Sequence, residues 1–389
     1  MNLSFCVLGR QPSIGLAELE SLFGSNSVRR AGDFGAVLSI ASDDIDINHL
    51  GGSIKVCRII AQTTENRWPD IEKYIELNLN SYFNLSENQK NRLGISVYGL
   101  EVSSKEVLGL ALRIKKSLKS KDISIRVVPN SEPRLNSAAV FHNKLTNDSG
   151  TELVIVRENN ATLIAKTVGV QDINSYTTRD RYRPKRDSRV GMLPPKLAQI
   201  MINLAHPKPR DILLDPFCGT GVILQEAALT GLIPYGTDID QRMVDFSKAN
   251  LEWLKEKFGA PKSWLLEKAD ATKHKWQKFD SVASETYLGP PLFREPDQRY
   301  VDEISHSCNQ LVRDFLANIG SQLKTGSQIC LALPAWRGKN GQFHHLPIVD
   351  HLESMGYNLM SFTHVQQSEL IYYRPGQFVG RELLVLRRK

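Results

Sequence analysis

ILLDPFCGTGVILQEAALTGLIPYGTDID, residues 212–240, is the stretch whose reading decides the fold. A short apolar strand ends at Asp215, a turn carries Gly219 and Gly221, a helix begins near Val222, and a second strand runs from Ile233 to Asp238. Strand, turn, helix and strand in this order open a doubly wound parallel sheet, in which ligands bind beyond the carboxyl ends of the strands. The glycines let backbone approach a ligand closely, and the helix N-terminus favours an anionic group. Read as GxGxxG, the third glycine position is Leu224, so a dinucleotide fingerprint fails; a Lys-Ser/Thr phosphate loop is also missing.

S-adenosylmethionine fits the stretch better. Its carboxylate is expected at the turn formed by Asp215, Pro216, Phe217, Cys218, Gly219, Thr220 and Gly221. Its ribose hydroxyls are expected at Asp238, next to Ile239, because one carboxylate accepts two hydroxyl donors at once. The adenine amine is expected at Asp270, next to Ala271 in KADATK. Asp238 alone reads as a strand-end or cap residue; the ordered set makes coincidence a poor account. Cys218 reads as a small packing side chain, with no base near it to activate a thiolate.

Working outward, Pro194-Pro195 opens a helix with Leu197, Ile200, Met201 and Leu204 on one side. FDSVASE from Phe279 and QICLALPA from Gln328 read as further strands, and Met243–Lys257 and Val301–Leu323 as helices. HVQQSELIYY and FVGRELLVLRR read as a closing antiparallel pair joined at Arg374-Pro375-Gly376. The fold class is α/β, and residues 191–389 are expected to form a doubly wound, seven-stranded, Rossmann-like methyltransferase sheet.

Toward the N-terminus, Leu3–Leu8 reads as a strand and Pro12 starts a helix up to Gly24. Ala36–Ile40 and Ile54–Ile60 follow as strand segments, and after Trp68-Pro69 come strands at Ile95 and Ile123. Between these last two lies a helix capped at Ser103 or Ser104, with Arg113, Lys115, Lys116, Lys119 and Lys121 on its outer side. ELVIVRE and ATLIAKTV flank Asn159-Asn160, a hairpin turn. SYTTRDRYRPKRDSRVG, from Ser175, reads as a basic linker over residues 175–190 without a regular element, since it contains Pro184 and no apolar period. Arg179, Arg181, Arg183, Lys185 and Arg186 can neutralise phosphates there, and Tyr182 can stack on a base; a charged tether is the plain alternative.

The chain has 389 residues, 41% hydrophobic and 23% charged, with a formal net charge of +7. That is ordinary globular usage, with a basic excess that permits a polyanionic partner. No apolar run reaches a membrane span, and the start lacks a secretory pattern. Five cysteines without a CxxC pair support neither a disulfide framework nor a zinc knuckle. His344, His345 and His351 read as a polar loop, so no metal is expected. A cytoplasmic location without membrane contact is the expectation.

DPFCGTG resembles the first motif of S-adenosylmethionine-dependent methyltransferases that act on exocyclic amines of nucleobases. GMLPPKLAQIMINLA resembles the approach helix of the THUMP-containing tRNA guanosine methyltransferases, and LGRQPSIGLAELESLFG their ferredoxin-like segment. The resemblance implies a ferredoxin-like domain over residues 1–68 and a THUMP-like RNA-binding domain over 69–174. After the linker, it implies a methyltransferase domain over 191–389. It also implies tRNA as partner and the guanine 2-amino group as target, and it names no activating subunit.

Family members usually carry Asp-Pro-Pro-Tyr after the fourth strand, whereas this chain has Glu285-Thr-Tyr287-Leu-Gly-Pro290-Pro291-Leu-Phe293. Either Glu285 replaces the Asp or Gly289-Pro290-Pro291 is the shifted motif; strand phase favours Glu285. A carboxylate accepting the amine protons would favour the rehybridised transition state. Glu285 is therefore the candidate acceptor, Tyr287 or Phe293 the stacking platform, and Pro290 and Pro291 the stiffeners of the loop. The rival readings are a DNA amino-methyltransferase and a catalytically silent RNA-binding protein, the latter prompted by the departure from the motif.

Overall fold

The computed structural model describes residues 3–82, 91–187, 192–261, 263–292, 296–338 and 341–389. They form two compact units, residues 1–16 with 23–174 and residues 17–22 with 175–389. No described helix is long and apolar enough to cross a membrane.

The first unit runs β1 (Ser4–Leu8), α1 (Pro12–Phe23), β2 (Val28–Ala31), β3 (Gly35–Leu38) and β4 (Ser53–Thr63). It continues with α2 (Trp68–Leu77), α3 (Leu79–Tyr82), β5 (Asn91–Tyr98), α4 (Ser104–Lys119), β6 (Ile125–Val127), α5 (Ser137–His142), β7 (Gly150–Glu158) and β8 (Ala161–Val170). Its strands make one sheet in the order β2-β3-β1-β4-β8-β7-β5-β6. The division expected at residue 68 falls between β4 and α2, and the sheet runs on across it through the antiparallel β4–β8 pair. Ser103 caps α4 in a capping box with Glu106. Asn159, at φ 47°, turns the hairpin between β7 and β8.

α6 (Ile173–Arg181) follows, so the segment expected to lack regular structure begins inside a helix. The reason is that α6 is held by charge and hydrogen bonds rather than by an apolar stripe: Arg179 pairs with Glu226, and the Tyr176 hydroxyl bonds Gln199.

The second unit then contains α7 (Pro195–Leu204), β9 (Ile212–Asp215), α8 (Val222–Leu229), β10 (Ile233–Asp238), α9 (Gln241–Phe258), β11 (Leu265–Lys268) and β12 (Ser281–Glu285). After α10 (Gln298–Gly320) come β13 (Gln328–Arg337), β14 (Phe343–His344), β15 (Tyr357–Leu359), β16 (Ile371–Tyr372) and β17 (Val379–Arg388). Among the described residues the strand path is β11-β10-β9-β12-β13-β17-β15, with β14 beside β13 and β16 beside β17. The first five strands of that path are parallel, and β17 is antiparallel to both β13 and β15.

The expected antiparallel tail pair is present but short. The segment before Arg374 contributes only β16 to the sheet, and the long partner of β17 is β13. β17 is buried along most of its length, so its apolar run belongs to the sheet interior and not to an edge hairpin. Helix α10 seals one face through Cys308, Val312, Phe315 and Ile319 against Val282, Ile329, Leu331 and Leu384. Helices α8 and α9 build a second cluster around Cys218, Leu224, Ala228, Leu251 and Leu254.

The first unit has a polar feature inside its sheet. The Lys55 ammonium on β4 pairs with the Glu152 carboxylate on β7, both side chains fully buried. Ser96 and Thr167 also donate to Glu152, and the Leu135 carbonyl accepts from Lys55. Removing one member of such a pair strands the other charge in a low dielectric. Glu152→Ala is therefore expected to lower unfolding free energy by roughly 3–5 kcal/mol. Urea titration checks it, and a change below about 1 kcal/mol contradicts the assignment.

Candidate active site

The strand order reverses at β9. From β9 the chain steps outward to β10 and β11, then returns to place β12 on the other side of β9. Chain leaving β9 and β12 therefore diverges, and a crevice opens at their carboxyl ends. A cleft of about 380 Å³ lies there, lined by residues including Asp215, Phe217, Asp238, Asp270, Glu285 and Tyr287. Pro216, Cys218, Gly219, Thr220, Ile239 and Ala271 line it as well, so every expected cofactor residue except Gly221 faces the cleft.

Gly221 shapes the turn instead. It sits at φ 78° as the N-cap of α8, and a Cβ there would lie 2.7 Å from the Ser247 hydroxyl oxygen. Only glycine satisfies both the left-handed backbone and this approach. Ser247 donates to the Gly219 carbonyl at 2.8 Å, and the Asn250 amide donates to the Thr220 carbonyl at 2.8 Å. Two polar residues of α9 thus fix the carbonyls of the turn, while the Gly219 amide bonds Asp238 and the Gly221 amide bonds the Cys218 carbonyl.

Four acids line this rim, three at the ends of β9, β10 and β12 and Asp270 two residues past β11, and each has a different environment. Asp215 is buried, accepts from Ser284 Oγ at 2.5 Å and from the Phe217 amide at 3.3 Å, and burial lifts its pKa to about 7. Asp238 accepts from the amides of Gly219 (3.0 Å) and Asp240 (2.9 Å), and burial raises its pKa. An ionised carboxylate has about four acceptor sites, so Asp238 keeps capacity for a further donor. Asp270 is held by the Thr272 amide and hydroxyl, which lower its pKa, and by Lys273 at 3.3 Å.

Glu285 is the last residue of β12 and lines the cleft, with its carboxylate paired to the Arg381 guanidinium. Burial raises its pKa and Arg381 opposes that rise. Tyr287 also lines the cleft and is half-exposed, while Leu288 continues the wall. Pro290 and Pro291 are not among the lining residues. Phe293 falls outside the described residues.

The basic segment splits in two. Arg179 is buried and bidentate on Glu226 at 2.7 and 3.1 Å; Arg183 is buried and donates to the Arg179 carbonyl at 3.1 Å. These two arginines are spent on packing, which corrects their expected role in RNA contact. Arg181, Tyr182, Lys185 and Arg186 are exposed. Lys185 is pinned through its backbone: its amide and carbonyl bond the Asn250 side chain, both at 2.9 Å. Asp187, which the sequence reading passed over, reaches the cleft and pairs with Arg242 at 3.3 Å. Ser284, Arg381, Ser247 and Asn250 were likewise not singled out, because their partners are 69, 96, 28 and 30 residues away, and pattern reading covers only local spacing.

Residues 181–336 match the family described as UPF0020: RMKL-like, methyltransferase domain. A probable tRNA (guanine(10)-N2)-dimethyltransferase of Methanothermococcus thermolithotrophicus is 31% identical over 145 residues, covering 35% of this chain and 78% of that one. The chain belongs to the family of these methyltransferases. A second family member, the tRNA (guanine(10)-N2)-dimethyltransferase of Methanothermobacter thermautotrophicus, is 33% identical over 144 residues; the match spans 37% of this chain and only 39% of that relative. The crystal structure of TrmN from Thermus thermophilus shares the fold, with a TM-score of 0.54 at 15% identity over 100% of this chain and 99% of that one.

S-adenosylmethionine, the cofactor of such methyltransferases, fits the residues present. The α8 N-terminus suits a carboxylate, Asp238 is an acceptor placed for a ribose hydroxyl, and Phe217, Ile239 and Leu288 supply apolar wall.

The sign of the Asp215 shift gives a stability test. Its folded pKa, about 7, lies above the usual value of 3.8, so the folded state binds this proton more tightly. The stabilisation from this proton is present below about pH 4 and is lost as pH rises through about 7. Asp215→Asn removes that loss, so its stability relative to wild type is expected to climb by on the order of 3 kcal/mol between pH 5 and pH 8. Denaturant titrations at the two pH values measure this, and parallel behaviour of the two proteins contradicts it.

Proposed function

We propose that the protein transfers a methyl group from S-adenosylmethionine to the exocyclic 2-amino group of a guanosine in tRNA. One observation carries the reading: acidic tips of β9, β10 and β12 converge on a single cleft, Asp215 supporting it from within, Asp238 suited to the cofactor and Glu285 suited to an amine. The relatives named above act on guanine N2 of tRNA, which supports the choice of base and of nucleic acid.

In this reading the Gly219–Gly221 turn holds the carboxylate of the cofactor, Asp238 the ribose and Asp270 the adenine amine. When bound, the cofactor would supply an electrophilic methyl, which the amine lone pair would take as the sulfonium S–C bond breaks with its pair kept by sulfur, the amine proton passing to water. Glu285 accepts hydrogen bonds from the amine and turns its lone pair toward the methyl. An exocyclic amine is a weak nucleophile because its lone pair is delocalised into the ring, so orientation carries much of the rate. Tyr287 stacks on the extruded base, which offsets part of the few kcal/mol of unpairing. Pro290 and Pro291 stiffen the loop.

The proposal assigns tRNA capture to a ferredoxin-like segment within residues 1–68, a THUMP-like segment within 69–174, and Arg181, Tyr182, Lys185 and Arg186 of the basic segment. All five cysteines are buried and none forms a disulfide, which suits a reducing compartment such as the cytoplasm.

Purified protein with labelled S-adenosylmethionine and unmodified tRNA transcripts is expected to yield N2-methylguanosine by nucleoside mass spectrometry. Bound adenosylhomocysteine without label in any RNA would defeat the enzymatic reading. Glu285→Gln is expected to reduce single-turnover methylation roughly 10²–10³-fold, the size of losing one acceptor made in the transition state. In filter binding, Arg181→Ala with Arg186→Ala should weaken tRNA capture and flatten the salt slope by about two charges. An unchanged slope would remove this segment from the interface.

A further inference from the structure

Glu285 differs from an ordinary strand-tip acid in what lies behind it. Arg381 stands on β17, which is separated from β12 by β13. Glu285 is opposite Ala332 of β13, and Arg381 is opposite Pro334. Residues 332 and 334 share one face of a strand, so the arginine must cross β13 over a small residue and a proline to reach the carboxylate. A large side chain at 332 would obstruct that path. The crossing is made: the Arg381 guanidinium donates to Glu285 Oε1, with the side chains 5% and 17% exposed. This contact places a permanent cation against the one acid proposed to meet the substrate amine.

A carboxylate that keeps its charge offers only acceptors, whereas a protonated one offers a donor as well. The two purines differ on the edge that carries or adjoins the amine. Guanine presents two donors, N1–H and the 2-amino group; adenine presents a donor, the 6-amino group, beside an acceptor, N1. An acceptor-only group pairs with the first and sets lone pair against lone pair on the second. Sites built around such a polar match discriminate far more strongly than apolar pockets do.

We propose that Arg381 is a positioning residue that holds Glu285 as an acceptor-only carboxylate and thereby selects the guanine edge over the adenine edge. This rests on the function proposed above and deepens it. Burial pushes Glu285 toward its protonated form, and Arg381 is the cation that opposes the push. The other charged or titratable groups at this face are Asp215 on β9, Tyr287 in the following loop and Tyr372 on β16, which is opposite Arg381; Ala332 and Pro334 of β13 add none. Glu382, with its partner His345, follows Arg381 in β17 and so lies on the opposite face of the strand.

The test compares wild type, Arg381→Met, Arg381→Lys and Glu285→Gln on one tRNA transcript. Its methylated position carries either guanosine or adenosine, and rates are measured from pH 6 to 9. Adenosylhomocysteine titration of each variant reports an intact cofactor cleft. Arg381→Met is expected to lose kcat roughly tenfold or more at pH 7 with KM little changed, and to recover as pH rises. Its guanosine-to-adenosine preference should fall at least tenfold, while Arg381→Lys keeps most of both. Glu285→Gln, which has no proton to titrate at this position, should show no such acid limb. An Arg381→Met protein that binds adenosylhomocysteine normally and retains the wild-type pH profile and base preference overturns the inference. If that variant binds no adenosylhomocysteine, Arg381→Lys decides: an acid limb moved to higher pH supports the role, and an unmoved limb with unchanged preference refutes it. Wild type that methylates no guanosine overturns the function itself, and this inference with it; an active wild type confines any failure to Arg381.

Discussion

Carboxylates crowded into a poorly solvated rim are the constraint on which the rest of this site depends. Three parallel strands, β9, β10 and β12, end side by side in Asp215, Asp238 and Glu285, and burial raises the pKa of all three. Ionising all of them without help would be strongly unfavourable. The fold answers with three separate devices. Asp215 keeps its proton up to about pH 7 and takes a hydroxyl from Ser284 on the neighbouring strand. Asp238 receives two backbone amides that the glycine turn and the start of α9 supply without any charge. Glu285 receives a full cation. A carboxyl that can hold a proton suits an internal support, one held by neutral amides suits a diol, and one held by arginine suits a fixed acceptor. The chemistry expected at each strand tip thus follows from the way its charge is tolerated.

The same logic separates the two populations of arginine in the segment ahead of the methyltransferase sheet. Arg179 and Arg183 are buried, one answered by Glu226 and the other by a helix carbonyl. Their neighbours Arg181, Tyr182 and Arg186 stand in solvent. A buried pair such as Arg179–Glu226 adds little net stability over an apolar pair, yet it fixes one geometry because any displacement strands a charge. The anchored residues therefore set where the exposed ones project.

The sequence made the parallel core readable because its signals were local. Apolar strands of four to six residues, the turn glycines and the Pro194-Pro195 helix start all lie within a few residues of the feature they specify. The hairpin at Asn159 and the cap at Ser103 belong to the same class. What escaped was non-local or polar. Helix α6 hides from an apolar-period reading because a guanidinium and a tyrosine hydroxyl fill its buried face. Strand β17 pairs with its nearest candidate over only two residues and takes its long partner, β13, from some fifty residues upstream, a non-local pairing that no local pattern announces. The acid at 285 was legible from strand phase. The cation that makes it an acid of a particular kind was not, because no spacing rule links residues on strands two positions apart in a sheet.

Asn250 shows how these separate solutions are joined. One buried amide on α9 bonds the Thr220 carbonyl in the cofactor turn, and the same side chain bonds both backbone groups of Lys185 in the basic segment. An amide has two donors and a two-lone-pair acceptor, and here both donors and the acceptor are engaged across two loops that would otherwise be independent. Loops without regular structure lose conformational entropy on ordering, roughly 1–2 kcal/mol for each residue fixed. A single side chain that satisfies both lets the folding of α9 order the two together. Asp187, two residues past Lys185, is carried by that anchoring to the edge of the cleft, where Arg242 of the same helix receives it. The wall of the pocket on this side is therefore made by the segment that also presents the exposed basic residues. The position of those residues relative to the methyl-transfer cleft is a property of α9 packing, not of a free linker.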